Sequence, residues 1–513
     1  MSPSATEPGK RNPIWLVLVL AVAFVFLYLS LFSLSGTPIF RSGDDCVFWV
    51  YACRMLAGQV FLRDFHQFTP PGTDLVYMTA FHFFGPGVHT INWTILCLGM
   101  LLGVVCFLNA RAIMRAEWAA LAALSCVVLL YGDRLDLTHH WFSSLANLVS
   151  ILVLTGGRSQ RRIAFAACLI GTALFFTQSR GLMGLLACCI GLLWEKLADR
   201  SSPTRFGPRL ATLLGVTLGV WLVLSWRFIA QAGPATYLHM QVLYLPRDMD
   251  VSTGFLVPHF TVSFYPHALA QLADRLAMYL LLVLVCPAVT ILTARGKVAT
   301  GEDSRAIVLL TTLGILQTLE VIFMLNWNRM AAVAMPSVIL FIWLVTRWNA
   351  ARRPALVAGW CVLGAMIVVQ CAVMQFHRYP RVNLPTGSTF FQKNESEAAA
   401  WLALHTHPGD YILEVATTRY YVPLELQNPS AVDMLGTGAI TLPEWVDEVV
   451  AGLKAHQVQY ILWEPYTGIG TVATQHTAPG DHLDPLRDYL DQNFRRIETF
   501  QNGGEIWERV TPR

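Results

Sequence analysis

Residues 43–58 read GDDCVFWVYACRMLAG, and residues 59–72 continue QVFLRDFHQFTPPG. The acidic pair opens an apolar segment that ends at Gly58, and glycine is a typical helix terminator. An extended piece containing Arg63-Asp64-Phe65 follows, and Pro70-Pro71 ends it. The next stretch, 73–84, is apolar but too short to cross a bilayer, which takes about 20 residues. We therefore predict two helices here that lie in the membrane interface or re-enter the membrane.

This stretch lies between segments that are long enough to span a membrane. Residues 14–32 form an apolar run preceded by Lys10-Arg11, without the small-residue cleavage site of a signal peptide. Hydrophobic residues make up 55% of the 513 residues and charged residues 13%, with a mean hydropathy of +0.49. Soluble domains carry about 25% charged residues. The composition predicts an integral membrane protein and gives no basic surface for nucleic acid.

Hydropathy predicts about eleven transmembrane helices. After the first, they lie at about 88–110, 116–131, 142–156, 163–178, 181–196, 209–230, 276–294, 305–325, 330–346 and 354–376. Basic residues collect in alternate loops, which places the N-terminus in the cytoplasm and loops 35–87, 132–141 and 231–275 outside. The 11 cysteines have no spacing typical of a disulfide framework or a metal cluster.

The charge balance divides the chain in two. Residues 380–513 carry nine Lys and Arg against 17 Asp and Glu, whereas residues 1–379 carry 27 against 16. We predict a transmembrane domain over 1–376 and a soluble, extracytoplasmic α/β domain over 377–513, which serves as a lid or docks the acceptor. Within that domain we predict buried strands at 411–416 and 459–463, amphipathic helices at 443–456 and 483–494, and an edge strand at 505–510.

The first outer loop resembles that of the GT-C superfamily of membrane glycosyltransferases. It is most similar to the branch of the protein O-mannosyltransferases and the aminoarabinose–lipid A transferases. That family has an Asp-Glu pair, a helix with Ala-Arg and a terminal Gly, an Arg-Asp-Phe element and Pro-Pro. Alignment on Arg54 and Gly58 puts Asp44 on the catalytic Asp and Asp45 on the Glu, with a register that is open by one residue. The motif covers about 43–85, and the hydropathy profile matches over the whole chain.

The resemblance implies transfer of a sugar from a polyprenyl-phosphate donor to a lipid, glycan or protein acceptor, outside the cytoplasmic (inner) membrane. An alcohol is a weak nucleophile, so a carboxylate near its proton assists as a general base. A single displacement with one base inverts the anomeric centre. The phosphate leaving group needs Arg, Lys or His donors.

Asp44 and Asp45 are therefore the candidate catalytic residues, and each could instead be a solvated N-cap of the following helix. The candidate substrate-binding residues lie in outer loops or near outer helix ends: Arg54, Asp64, His139, His140, Arg180, Arg247, Glu320 and Arg329.

The substrate-binding candidates also have simpler interpretations. Arg54 and the other arginines are equally typical of helix-end anchors at the lipid headgroups. His139 and His140 are adjacent, which is not the spacing of a metal-binding pair on a helix. Glu320 stands inside a predicted helix, where a carboxylate is costly and needs a partner such as Arg329.

Two other functions fit part of the sequence. A transporter or flippase of a lipid-linked saccharide should show inverted repeats and polar residues at the membrane midplane, but the polar residues collect at the outer face. A non-catalytic assembly protein leaves the Asp pair unexplained. No cofactor is predicted, although the second Asp could bind a divalent metal.

Overall fold

The computed structural model describes residues 13–157, 159–198, 206–243, 258–259, 268–296, 302–322, 325–347, 352–377, 379–436, 441–464 and 482–510. The longer helices of the first part are α1 (Ile14–Leu31), α2 (Cys46–Leu56), α3 (Gly72–Phe84), α4 (Val88–Arg111), α5 (Ala116–Ser125), α6 (His139–Thr155), α7 (Gln160–Phe176), α8 (Gln178–Ala198), α9 (Phe206–Ala232), α10 (Ala268–Ala294), α11 (Glu302–Val321), α12 (Trp327–Val333), α13 (Met335–Thr346) and α14 (Arg352–Phe376). This part also has two short helices, Gly132–Arg134 and Pro234–Leu238, and two short parallel strands, β1 (Pro258–His259) and β2 (Leu325–Asn326).

Each predicted span coincides with one of these helices, or with the consecutive helices α12 and α13. Among the described residues, seven helices are long and apolar enough to cross a membrane: Ile14–Leu31, Val88–Arg111, Ala116–Arg134, Phe206–Ala232, Arg275–Ala294, Ser304–Val321 and Arg352–Phe376. The protein is thus a multi-pass helical membrane protein. The count of eleven spans stays a prediction.

Burial separates the interior helices from those at the periphery. Only 6% of the span in Arg352–Phe376 is buried, against 78% of the span in Ala116–Arg134. Beyond Arg353 in its first turn, the exposed side chains of α14 are apolar, among them Val357, Val362 and Val368. Because a lipid-facing helix needs no polar surface, α14 has the composition of a helix that faces lipid, whereas α5 lies in the protein core.

Residues 35–87, the loop that the charge pattern predicts to be the first outer loop, contain the two predicted helices, α2 and α3. Most side chains of α2 are buried, including Trp49 and Arg54. On α3, Asp74 and Tyr77 are buried, whereas Phe83 and Phe84 at its end are 71% and 79% exposed. The α2 helix is therefore a core element, and α3 has one buried side and an exposed aromatic end.

The helix before the predicted second outer loop passes from α-helical to π-helical geometry at its end. A π-helical segment, Cys126–Tyr131, continues α5, and the Tyr131 hydroxyl donates to the Ile95 carbonyl at 2.7 Å. Leu135 then adopts a left-handed conformation with φ of 48°. Single π turns and strained backbone both concentrate at functional sites.

The C-terminal part combines two small sheets with three helices. A hairpin joins β3 (Arg381–Leu384) to β4 (Gly387–Phe390), and a second sheet has the order β5-β6-β8-β7. Its strands are β5 (Ile412–Val415), β6 (Tyr460–Trp463), β7 (Phe494–Thr499) and β8 (Glu505–Arg509), and the helices are α15 (Lys393–His405), α16 (Pro443–Ala455) and α17 (Asp484–Asn493). Strands β5 and β6 are parallel.

Both predicted buried strands and both predicted helices of this part are present. The prediction of 505–510 as an edge strand was wrong, because β8 pairs with β6 on one side and β7 on the other. Strand β7 was missed since its exposed side chains, which include Arg495 and Arg496, do not alternate with buried ones.

The C-terminal part is bonded to the first outer loop before the acidic pair. Phe40 N donates to the Phe390 carbonyl at 2.7 Å, and Phe390 N donates to the Pro38 carbonyl at 3.0 Å. The rings of Phe40 and Phe391 stack with centroids 4.6 Å apart.

A buried ion pair makes a second attachment after the acidic pair. Arg54 Nη2 lies 2.7 Å from Asp433 Oδ1 and also donates to the Ser430 carbonyl at 2.5 Å. His66 adds a hydrogen bond from Nε2 to Glu448 Oε2 at 2.8 Å and stacks on Trp445. The loop is thus held by the C-terminal part on both sides of Asp44-Asp45.

We expect the Arg54–Asp433 pair to control this attachment. Arg54→Met leaves Asp433 buried without its cation, which should lower the free energy of unfolding by about 3–5 kcal/mol. Replacing both residues, as Arg54→Met with Asp433→Leu, should be less destabilising than Arg54→Met alone. Thermal unfolding of the full chain in detergent measures both effects.

The matched control is Arg63→Met, which breaks the exposed Arg63–Asp64 pair and should change stability by less than about 1 kcal/mol. Equal losses in the Arg54 and Arg63 variants would show that the buried pair does not hold the C-terminal part.

Candidate active site

Asp45 is a buried carboxylic acid at the junction of the first two outer loops. It occupies the N-cap position of α2, but its side chain makes no capping hydrogen bond. Instead, Oδ2 accepts from the Tyr77 hydroxyl at 3.1 Å and from Leu137 N at 3.4 Å. Its side-chain Oδ1 is buried and has no hydrogen-bond partner within the described structure. Oδ1 of Asp45 can therefore accept a hydrogen bond from another group.

Asp136 lies beside Asp45 on the second outer loop and is 4% exposed. Trp141 Nε1 donates to its Oδ1 at 2.7 Å. Gly43 shows how close the two acids are, because a Cβ on Gly43 would lie 3.0 Å from Asp45 Oδ1 and 3.5 Å from Asp136 Cβ. The backbone at Gly43 therefore closes over both carboxyls, and a side chain there would crowd them.

Burial and mutual repulsion raise the pKa values of these two acids. Burial raises the pKa of Asp45 to about 8, and the charge of Asp136 adds to the effect. Burial also raises the pKa of Asp136 to about 6, although neighbouring Arg134 opposes the shift. The pair can therefore hold one proton between its two carboxyls near neutral pH, and it titrates as a unit.

Asp44 is exposed although it is adjacent to Asp45. Its charge acts on Asp136 and raises the pKa of that acid. The two predicted catalytic residues are thus placed differently, with one in the interior and one at the surface.

A second polar cluster forms where the N-termini of α6 and α8 meet. Arg180 is fully buried; its Nε lies 3.4 Å from Glu320 Oε2, and its Nη1 donates to the His140 carbonyl at 3.1 Å. Ser179 donates to the other Glu320 oxygen at 2.7 Å. The rings of His139 and His140 lie 4.0 Å apart. The predicted residues Arg180, Glu320, His139 and His140 are therefore in one place.

The cluster has donors that the described residues leave without acceptors. Arg180 Nη2 and the Nδ1 atoms of His139 and His140 are buried there without hydrogen-bond partners. Burial lowers the pKa of His139 to about 3 and holds the pKa of His140 well below its usual value, and the positive charges of Arg180 and Arg329 contribute. Both imidazoles are therefore neutral at pH 7 and can each donate one N–H. Two helix N-termini, a guanidinium and two imidazoles favour an anion.

The Asp45–Asp136 pair and the polar cluster around Arg180 are neighbours. Leu137, whose N–H contacts Asp45, is two residues before His139, a separation of about 7 Å at most in extended chain. The ring of Phe48, on the first turn of α2, lies 5.6 Å from the ring of His139.

The remaining predicted site residues lie elsewhere or cannot be placed. Arg54 is held by Asp433, and Asp64 bonds to Arg63 and to Val60 N, so each has a local structural role. Arg329 contributes its charge to the histidines. Arg247 lies outside the described residues. No three His, Cys, Asp or Glu side chains are grouped as metal ligands in the described ranges.

Sequence reasoning missed the roles of Asp136 and Tyr77. The predicted outer loop already contained Asp136 beside the His pair, but nothing in the spacing indicated that it packs against residue 45. Tyr77 lies in the short apolar stretch 73–84, where the sequence gives no reason to single out one aromatic residue. Both contacts depend on the tertiary fold.

Comparisons with known proteins identify the fold. No protein-family model and no curated protein matches the sequence. ArnT from Cupriavidus metallidurans in the apo state superposes with a TM-score of 0.61 at 14% identity, covering 98% of this chain and 100% of that one. The same protein bound to undecaprenyl phosphate gives 0.57 at 12% identity, with coverage of 98% and 100%.

The archaeal oligosaccharyltransferase AglB from Archaeoglobus fulgidus, in complex with an inhibitory peptide and a dolichol-phosphate, gives a TM-score of 0.55 at 10% identity, covering 97% of this chain and 74% of that one. These structures share the GT-C fold, and the present chain has the same fold. The fold that the first-loop motif predicts is confirmed.

The raised pKa of Asp45 can be measured chemically. Dicyclohexylcarbodiimide reacts with protonated buried carboxyls, so it should label the peptide containing Asp45 at pH 6–7, below the pKa of about 8. Labelling should fall as pH rises past that value, because the carboxylate form accumulates. Mass spectrometry distinguishes Asp45 from Asp44.

Tyr77→Phe removes a hydrogen bond that stabilises the Asp45 carboxylate. Labelling should then persist to a pH about one to two units higher, because a hydrogen bond to a charged group is worth roughly 1.5–3 kcal/mol. Labelling of Asp45 that is as weak at pH 6 as at pH 9 would contradict the raised pKa.

Proposed function

We propose that this protein is an inverting glycosyltransferase that moves a sugar from a polyprenyl-phosphate donor to an acceptor outside the membrane. The observation that carries the proposal is the buried Asp45–Asp136 pair next to the cluster of Arg180, His139 and His140. One group is suited to accept a proton and the other to hold a phosphate. The GT-C fold and the polyprenyl-phosphate lipids named with ArnT and AglB support the same reading.

In the proposed mechanism Asp45 is the general base. The acceptor O–H lies against the unpartnered Oδ1 and transfers its proton to the carboxylate while its oxygen bonds to the anomeric carbon. The bond from that carbon to the phosphate oxygen breaks, and its electron pair leaves with the lipid phosphate. The displacement inverts the anomeric centre.

Asp136 tunes this base. Its negative charge raises the pKa of Asp45, which makes the carboxylate a stronger base, and it can hold the proton after transfer. Exposed Asp44 acts on the pair through its charge. We therefore assign the base to Asp45 rather than to Asp44, the residue favoured by the alignment on Arg54 and Gly58.

The donor phosphate would lie against Arg180 Nη2 and the Nδ1–H groups of His139 and His140. As the glycosidic bond breaks, negative charge grows on the phosphate, and donors fixed by the surrounding protein stabilise it without reorganising. Glu320 holds the guanidinium in place through Nε and leaves Nη2 available.

The base assignment can be tested by transfer of label from a polyprenyl-phosphate sugar to endogenous acceptors in membranes. We expect Asp45→Asn to reduce transfer by about 10²–10⁴-fold, the usual range for loss of a general base. Asp44→Asn is the matched control, with the same chemical change one residue away, and should stay within about tenfold of the wild type. Transfer by Asp45→Asn at the wild-type rate, at equal protein level, would refute the mechanism.

The same variants distinguish a glycosyltransferase from the alternative function, a flippase of a lipid-linked saccharide. Movement of the donor across the membrane without transfer, unaffected by Asp45→Asn, would establish a flippase instead.

The pH profile gives a second test, because the base must be deprotonated. Transfer should rise with pH and level off above the pKa of Asp45, about 8. Asp136→Asn removes a negative charge and should move the midpoint to lower pH, whereas Tyr77→Phe removes a stabilising donor and should move it higher. Shifts in the same direction for both variants would exclude titration of Asp45 as the cause.

Binding of the polyprenyl-phosphate donor is tested separately, at the polar cluster around Arg180. Arg180→Gln should weaken binding of undecaprenyl phosphate to the purified protein by at least tenfold, since it removes a charged, buried donor. Asp45→Asn should leave that binding intact. Unchanged binding by Arg180→Gln would move the phosphate site elsewhere.

A further inference from the structure

The C-terminal part contributes a polar group, formed by Glu395, Arg419 and Glu464, near Asp44-Asp45. Arg419 and Glu464 follow the parallel strands β5 and β6. In a sheet with parallel strands, ligands bind at the carboxyl ends of those strands. Strands β5 and β6 end side by side at Val415 and Trp463, and Glu464 follows directly after β6. The segment 416–420 leaves β5 at this edge and carries Arg419.

Glu414 fixes the segment that presents Arg419. Its carboxylate accepts from Arg419 N at 2.8 Å, from Tyr420 N at 2.9 Å and from the Thr417 hydroxyl at 3.2 Å. Ala416 adopts a left-handed backbone with φ of 73°, which is strained for alanine. A buried carboxyl and a strained residue thus define the position of one arginine.

Arg419 lies between two carboxylates of the C-terminal part. Its Nη1 donates to Glu464 Oε2 at 2.8 Å, and its Nε lies 3.9 Å from Glu395 Oε1. Its side chain is 22% exposed. The guanidinium is therefore ordered by its neighbours and still reaches the surface.

Glu395, on the first turn of α15, links this group to the first outer loop. It is 3% exposed, and its Oε1 accepts a hydrogen bond from the Ser42 hydroxyl, three residues before Asp45. Both Glu395 and Arg419 act electrostatically on Cys46, the residue after Asp45. The second carboxyl oxygen of Glu395, Oε2, is buried and has no hydrogen-bond partner in the part of the chain that the structure describes.

We propose that Glu395 and Arg419 bind the acceptor, and that the acceptor is a saccharide held through adjacent hydroxyl groups. Glu395 Oε2 accepts from one hydroxyl, and the Arg419 guanidinium donates to the next. The proposal rests on the proposed function, since it places a second part of the acceptor beside the hydroxyl that Asp45 deprotonates.

A saccharide fits this group better than a peptide does. A carboxylate only accepts and a guanidinium only donates, whereas each hydroxyl can do both, so adjacent hydroxyls satisfy the two side chains together. Peptides are usually held by a free strand edge or an apolar groove. The outer edge of β5 is occupied at its start by backbone bonds between 410–412 and Gln427. Further along, the Tyr421 hydroxyl accepts from Glu414 N at 2.8 Å and donates to the Ile412 carbonyl at 3.3 Å.

Steady-state transfer by the purified full chain tests the contact. The probe is a detergent extract of the glycans, glycolipids and proteins of membranes from source cells that lack this protein, titrated against a fixed, labelled polyprenyl-phosphate sugar. We expect Glu395→Gln and Arg419→Gln each to raise the half-saturating concentration of the extract about tenfold or more. The half-saturating concentration of the donor should not change.

Glu444→Gln and Arg381→Gln are the matched controls, because they make the same chemical changes at exposed positions of the C-terminal part. If Glu395→Gln lowers the unfolding temperature, Ser42→Ala removes the neighbouring hydroxyl without removing a charge and should give a smaller rise for the acceptor alone. An effect on the donor alone, or no effect on either substrate, would overturn the proposal.

The acceptor class is tested on the extract itself. Periodate oxidises adjacent hydroxyl groups to carbonyls and breaks the carbon–carbon bond between them. Periodate treatment should therefore abolish acceptor activity, whereas protease treatment should not. Loss after protease and survival after periodate would identify a peptide acceptor and overturn the saccharide assignment. Failure of the proposed function looks different, because the wild type would then transfer no sugar or Asp45→Asn would transfer as well as the wild type.

Discussion

The burial of one carboxyl group, that of Asp45, is the constraint on which the candidate active site depends. A buried acid must find hydrogen-bond donors or remain protonated. Asp45 obtains Tyr77 from α3 and Leu137 N from the second loop, so two segments far apart in sequence must meet around it. Asp136 reaches the same place through the strained turn at Leu135. The resulting pair is only partly satisfied, which is unfavourable for stability and useful for proton transfer.

Charge is segregated within the site. Two carboxyls meet beside Gly43, whereas hydrogen-bond donors collect around Arg180 and a single carboxylate, Glu320, pairs with its Nε. Phe48 and His139 are in contact between the two groups. Such a division suits a reaction in which a proton leaves one substrate and negative charge develops on another. Because α6 and α8 both begin at the polar cluster around Arg180, the positive ends of their helix dipoles also favour an anion there.

The sequence predicted the elements of the fold better than their contacts. The apolar runs, the two helices after Asp44-Asp45 and the buried strands β5 and β6 were predictable, because each depends on local pattern. The GT-C fold was predictable from the motif at 43–72. The proximity of Asp136 to Asp45, the pairing of Arg180 with Glu320 and the use of Arg54 in an ion pair were not. Each joins residues whose spacing along the chain carries no information about their distance in space.

The attachment of the C-terminal part has a consequence for biosynthesis. Ser42 and Glu395 are 353 residues apart, and Arg54 and Ser430 are 376 apart. The first loop is therefore translated and inserted long before its partners leave the ribosome. Until then the Asp44-Asp45 loop lacks the bonds that hold both its sides. The complete site assembles last, so an unfinished or truncated chain in the membrane would not have the active geometry.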